Sequence, residues 1–288
     1  MFWSNARGKV GDVVFSTVKG QTITRKYQPS PANPRTDAQQ LQRAKFSNAV
    51  KFFKHAQQAY FKFAYEDRKK TESDYNAFMR YNASVAMMPT REQYCGKFPS
   101  IGSLYQVAAG SLPSIEVSEV SNAEVLFNVG TTEWAEAPTI GNLSAAIISK
   151  YGLQDGDIIT LLRIDCIGTN EITDVPTTYP SWVISQFRLD AASSQLVSVA
   201  IPDTKWKLTT DTGGDAILAC EATEACVMGA IIVSRVLTSG TKVSNSYLHI
   251  DKNLQDIYNQ SLAESWRKAA LASWAASGAA VLQGSLSE

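Results

Sequence analysis

Histidine, cysteine and net charge are what this chain has least of. Its 288 residues include two histidines, His55 and His249, and four cysteines, Cys95, Cys166, Cys220 and Cys226. With two histidines, a multi-histidine metal centre or a Ser-His-Asp triad would have to be assembled from very little. Both read as structural residues, His55 on a helix and His249 at the end of a strand. The cysteines contain no Cys-x-x-Cys pair, so neither a disulfide scaffold nor a zinc or redox motif is expected and reduced thiols are the default. Cys220 and Cys226 lie an even number of positions apart, which leaves pairing between them open.

Long apolar runs are also missing. The longest uncharged apolar stretch, residues 269–282, is about 14 residues and falls short of the ~20 needed to span a bilayer, so no membrane insertion is expected. Residues 1–7 lack the basic region and apolar core of a signal peptide. The run Asp211-Thr212-Gly213-Gly214-Asp215 lacks the Gly-Lys-Ser/Thr ending of a phosphate loop and reads as a hairpin turn. Glu133, Glu136, Asp155, Asp157, Glu221 and Glu224 supply carboxylates but no spacing that defines a glycosidase pair. Catalytic, cofactor and metal sites are expected to be absent, and the protein is not expected to be an enzyme.

The formal net charge is zero, yet the charge is not evenly spread. Up to Lys70 the cations outnumber the anions by ten, 14 against 4, so the remainder is acidic by the same amount. Such asymmetry lets the basic end of one subunit meet the acidic part of the next, or face nucleic acid; otherwise it is a solvated helix face.

With 44% hydrophobic residues the chain can bury a full core in one large or two modest domains. Gly8 to Val18 and Gln21 to Tyr27 are rich in β-branched residues and, separated by Lys19-Gly20, predict a β-hairpin arm. Pro34 pushes Asn33 out of the α region, and Thr36 with Gln39 forms a capping box, so a helix should start at about Asp37. Ala38, Leu41, Ala49, Phe52, Phe53, Ala56, Tyr60 and Phe63 then make one apolar stripe. A second helix, capped at Ser73-Asp74 and carrying Tyr75, Phe78, Met79 and Tyr81, should complete a helical hairpin.

From Cys95 onward the pattern changes to short strand-like runs: Glu124 to Val129, Asp157 to Ile164, Gln195 to Ala200 and Val227 to Leu237. This is sandwich patterning, with a short helix expected over residues 144–150. The run from Val227 is apolar on both faces and fits a central strand. Tyr179-Pro180-Ser181-Trp182 together with Trp206 either line a sugar-stacking groove or belong to the core. The tail from Leu254 to Leu282 reads as an Ala-rich helix anchored by Leu262, Trp266, Leu271, Trp274 and Val281.

Gly8-x-Val10-Gly11, Lys19-Gly20, Asn33-Pro34-Arg35-Thr36 with Ala38-Gln39-Gln40, and Arg43-x-x-Phe46 together resemble a family of uncharacterised proteins from Bacteroidota and their phages. The resemblance resumes at Gly102-Ser103-Leu104, or equally at Gly110-Ser111-Leu112-Pro113, where such proteins enter an immunoglobulin-like β-sandwich. It returns at Val243-Ser244-Asn245-Ser246-Tyr247-Leu248, which looks like the sandwich's last strand. The chain departs from the family in a longer region from Asp155 to Thr210 and in the helical tail from Asp251. Similar openings recur among phage tail and connector components, which implies a virion part.

The expected architecture is therefore α+β. A β-hairpin arm and helical hairpin (residues 1–94) precede an immunoglobulin-like antiparallel β-sandwich (95–252) and a C-terminal helical tail (253–288). The expected role is a structural subunit of a tailed-phage virion, in the tail or head-to-tail connector, assembled in the host cytoplasm. Its partners would be copies of itself in a ring or stack, other virion proteins, and packaged DNA met through the basic N-terminal part. Arg7, Lys9, Lys19, Arg25, Lys26, Arg35 and Arg43 are the expected contacts. Trp266 and Trp274 should bury on a neighbouring subunit or on the protein's own helices. The alternative is an immunoglobulin-like surface or secreted binding module for a glycan or protein.

Overall fold

The structure, a computed structural model, describes residues 7–18, 20–30, 37–56, 64–86, 103–121, 123–130, 134, 137–166, 181–223 and 226–250. Gly8–Val10 (β1), Val13–Val18 (β2) and Gln21–Lys26 (β3) form a three-stranded antiparallel sheet. One hairpin was expected here. A second tight turn at Gly11-Asp12 splits the first run, with Val10 facing Val13 across it and Gly11 at φ +56°, where a side chain is disfavoured.

Asp37–Ala56 (α1) begins at the expected residue; Thr36, its expected cap, lies outside the described residues. Its inward face is Ala44, Asn48, Ala49, Phe52, Phe53 and Ala56. Tyr60 and Phe63 lie outside the described residues. Asp74–Asn82 (α2) is capped as expected, Ser73 Oγ accepting the Asn76 N–H. Phe52 and Phe78 stack with ring centres 5.8 Å apart, and Tyr105 tilts against Phe52 at 4.2 Å. The two helices thus bury one aromatic seam, at roughly 1.5–3 kcal/mol for each phenylalanine taken from water.

Then follow Gln106–Ala108 (β4), Glu116–Val120 (β5), Glu124–Gly130 (β6) and the helix Ile140–Tyr151 (α3). Ile158–Cys166 (β7), Ser181–Arg188 (β8), the single turn Val197–Ala200 (α4), Trp206–Thr210 (β9) and Ala216–Glu221 (β10) come next. Cys226–Leu237 (β11), Gly240–Val243 (β12), Ser246–Tyr247 (β13) and His249–Ile250 (β14) complete the described chain.

One antiparallel sheet has the order β5-β6-β10-β9. The other has the order β12-β11-β7-β8, with β14 also paired to β11, and β4 pairs separately with β13. The protein is therefore α+β with strands predominating.

Alternation along β11 explains the layering. Val227, Ile231 and Val233 enter the core shared with β6, β10 and α3, while Met228, Ala230 and Ile232 enter the core shared with α1 and α2. On β7, Ile159 and Leu161 face the first of these cores and Leu162 and Ile164 the second. A strand apolar on both faces sits centrally because both faces are covered. Gly229 lets the sheets close up: a Cβ there would stand 3.3 Å from Cys220 Sγ and from the Phe127 ring. The boundary expected between residues 94 and 95 falls outside the described residues, and the described residues on either side of it share the helix-side core.

Two local expectations need correction. Gln195 to Ala200 is not a strand: Leu196 makes one bridge to Thr139, the Val197 N–H donates to the Pro138 carbonyl, and the chain coils into α4. Pro202 ends the run with no N–H for a ladder.

Val243 to Leu248 is not one strand. The backbone leaves β11 for β4, and serine hydroxyls keep the tie, Ser244 Oγ accepting the Val233 N–H and Ser246 Oγ donating to the Ile231 carbonyl. The short helix expected over residues 144–150 runs from Ile140 to Tyr151, held by Thr139 at its start and Gly152 at φ +65° at its end. The expected tail helix of residues 253–288 lies outside the described residues.

Candidate functional site

The basic residues singled out in the sequence gather on β1–β3. Val14 pairs with Lys9 on one side and Arg25 on the other, so both cations stand on one face in a single row. Lys9 Nζ lies 3.5 Å from the centre of the Tyr27 ring, a cation–π contact. Lys26 pairs with Val13 on the opposite face, and Arg7 is exposed just ahead of β1. Arg43 is exposed on α1, and Phe46, three residues on, is 52% exposed. Lys19, Arg35, Trp266 and Trp274 lie outside the described residues.

No described residue between 7 and 30 is buried, and none belongs to either core. Val10 and Val13 are exposed on one face of this sheet, Val18 and Ile23 on the other. A sheet of three short strands without a covered apolar face has little to stabilise it alone.

Elsewhere the polar groups bond to one another. Glu66 accepts hydrogen bonds from the Ser111 N–H at 2.9 Å and the Ser111 hydroxyl at 3.0 Å. Gly110, beside it, has no room for a side chain, since a Cβ would lie 2.3 Å from the Val243 carbonyl oxygen. The Gly-Ser-Leu-Pro motif is thus a seam where residues 64–66, the chain before β5 and the end of β12 converge, the Leu112 N–H donating to Val243 O at 2.9 Å. A groove of about 530 Å³ opens over Glu66, Asp67, Tyr81, Gln106 and Asn245. The Arg80 guanidinium holds the Asp67 carboxyl below its ordinary range, and Tyr81 donates to the same carboxylate at 2.8 Å.

Between the sheets lies a second cluster. Arg163 donates to Asp203 at 2.7 Å and bonds Asp165, which also accepts from the Thr223 N–H and hydroxyl. Burial disfavours the guanidinium charge, but Asp203 and Asp165 outweigh it. Of the six carboxylates weighed as catalytic pairs, three are described. Asp157 is bidentate to Arg235 at 2.6 and 2.7 Å, Glu221 pairs with Lys207, and Asp155 accepts the Ala191 N–H. Glu133, Glu136 and Glu224 lie outside the described residues.

Residues 211–215 form the β9–β10 turn, Asp211 accepting the Gly213 and Asp215 N–H groups at 2.8 Å each. His55 donates its Nδ1–H to the Lys51 carbonyl at 3.0 Å, and burial pushes the His249 imidazole below its ordinary value. Cys220 is a free buried thiol, raised well above the usual thiol range by burial, which answers the pairing with Cys226 that the spacing left open.

Trp182 and Trp206 do not line one groove. Trp182 packs against Phe52 at 4.9 Å on the helix side of its sheet, whereas Trp206 lies 5.9 Å from Phe127 between the sheets. Asn82, Gly110, Ser244 and Ser246 were missed as organising residues. Of these only Gly110 and the two serines carried a sequence signal, through the family motifs.

Two facing antiparallel sheets, two helices over one of them and a separate basic sheet define the class: a mostly-β α+β protein whose N-terminal sheet contributes, among the described residues, to neither core. Residues 5–150, just over half of the chain, match a family of unknown function (DUF6266), and the chain belongs to that family. No curated protein and no solved structure matches the chain.

Proposed function

We propose that the chain is a structural subunit of a tailed-phage virion, in the tail or the head-to-tail connector, that assembles with copies of itself through β1–β3 and α1. The observation that carries this reading is the sheet of residues 8–26, which exposes valines, an isoleucine and the cations Lys9, Arg25 and Lys26 and contributes to neither core. Such a sheet gains stability on a partner, through main-chain hydrogen bonds and burial of its exposed side chains. Arg43 and Phe46 extend the surface onto α1.

The body in this reading is an immunoglobulin-like sandwich. The orders β5-β6-β10-β9 and β12-β11-β7-β8 support it, because lettering the strands in chain order gives A-B-E-D opposite G-F-C-C′. Packaged DNA and other virion proteins are the further partners proposed for the basic residues. The glycan-binding alternative loses its main support, since Trp182 and Trp206 lie in separate cores.

Negative-stain microscopy with light-scattering mass tests the reading. Rings, tubes or stacks that disappear when residues 1–30 are deleted, while the remaining body keeps its thermal transition, are expected. Unchanged assembly of the truncated chain overturns it.

A further inference from the structure

Resting on that self-assembly reading, we propose which surface receives the basic sheet. The β3 edge of one copy adds to the β5 edge of a second copy, head to tail.

The argument begins with the edges on offer. Strands β5 and β9 end one sheet of the sandwich, and β8 and β12 end the other, with the two-residue β14, which carries neither Asp nor Glu, also lying along β11. Among their residues, β8 carries Arg188, β9 carries Lys207 and β12 carries Lys242, with no carboxylate on any of the three. Only β5, with the sequence Glu-Val-Ser-Glu-Val, is acidic. The incoming edge ends in Ile23-Thr24-Arg25-Lys26. Like charges across an interface are repelled and opposite ones select a partner, so charge excludes three edges and favours the fourth.

Local geometry prepares β5 for the role. The register with β6 slips between Val117 and Glu119, leaving Ser118 as a bulge. Simple alternation would put Glu119 on the same face as Val117. With the extra residue, Val117 and Val120 both lean on the inter-sheet core, and Glu116 and Glu119 are both exposed. Lys150 approaches Glu116 only to 3.6 Å, and the Glu116 side chain stays 72% exposed. Glu119 makes no ion pair among the described residues.

Strand addition with the Arg25 face outward would bring Arg25 over these glutamates, on the face that also carries Lys9, and continue the four-stranded sheet into the neighbour. The two surfaces differ, so the contact is heterologous. It repeats from copy to copy and closes into a ring or grows as a filament.

Charge reversal tests this. R25E and E116K/E119K change only exposed side chains, and unchanged far-UV circular dichroism and melting temperature check that both fold. Sedimentation velocity at low salt should show each variant alone associating at least about tenfold more weakly than the wild type, with an equimolar mixture of the two regaining large species. If E116K/E119K assembles as the wild type does, docking on β5 is overturned while self-assembly stands. The same holds if the mixture fails to recover. A wild-type chain that is monomeric at every concentration overturns both.

Discussion

The side chain of Asn82 meets the backbone of Gln106 as another strand would. Its Oδ1 accepts the Gln106 N–H at 2.7 Å and its Nδ2 donates to the Gln106 carbonyl at 3.0 Å, with a further bond to the Phe78 carbonyl at 3.1 Å. Asn82 is fully buried, so the last turn of α2 supplies a ladder partner to β4 where no strand is available. Tyr65, buried alongside with its hydroxyl pushed to a higher pKa by that burial, donates to the same carbonyl at 2.8 Å.

Replacing Asn82 by leucine should therefore orphan the Gln106 N–H and cost about 1–3 kcal/mol. Asn82→Asp keeps the acceptor but turns a carboxylate oxygen toward two carbonyls, and should cost more. Urea midpoints of the two variants decide; an Asp variant as stable as the wild type would contradict this geometry.

Gly110→Ala should cost at least about 2 kcal/mol, because its Cβ would meet the Val243 carbonyl oxygen at 2.3 Å and Val243 Cγ2 at 2.6 Å. Backbone atoms cannot swing aside as a flexible side chain can. Amide exchange should speed up at Leu112, whose N–H bonds that same carbonyl.

Arg163→Met leaves Asp165 and Asp203 facing each other between the sheets without a cation, and about 3–5 kcal/mol should be lost. Adding Asp165→Asn and Asp203→Asn should recover part of that loss. Strictly additive costs in the triple variant would show that the three residues do not act as a unit.

His249 sets a pH dependence. Its ring, 6.1 Å from Phe127, is held below its ordinary pKa by burial. The unfolded chain therefore takes up a proton, as pH falls below about 6.5, that the folded chain resists. Stability from this group is complete above that value and declines below it, until the folded-state pKa is reached. His249→Gln should flatten the slope of unfolding free energy against pH in that window, and a slope unchanged by the substitution would assign it to other groups.

What the sequence by itself determined was what short-range chemistry dictates. The starts of α1 and α2, the turns at Gly20 and at residues 211–215, the helix near residues 144–150 and the double-faced run of β11 all follow from caps, turn residues and periodicity within a few positions. The caps and turns carried signals no longer than a helical turn. The β11 run needed only an uninterrupted apolar pattern.

Tertiary structure decided the rest. Whether Gln195 to Ala200 extends or coils depended on Pro138 and Thr139, roughly sixty residues away, and the path of Val243 to Leu248 depended on β4 competing with β11 for its backbone. Trp182 and Trp206 were separated by strand parity and sheet pairing, which no local pattern encodes. The sequence could name the cations of β1–β3, but only the fold could show that their sheet is left outside both cores. Burial is a property of what the rest of the chain covers.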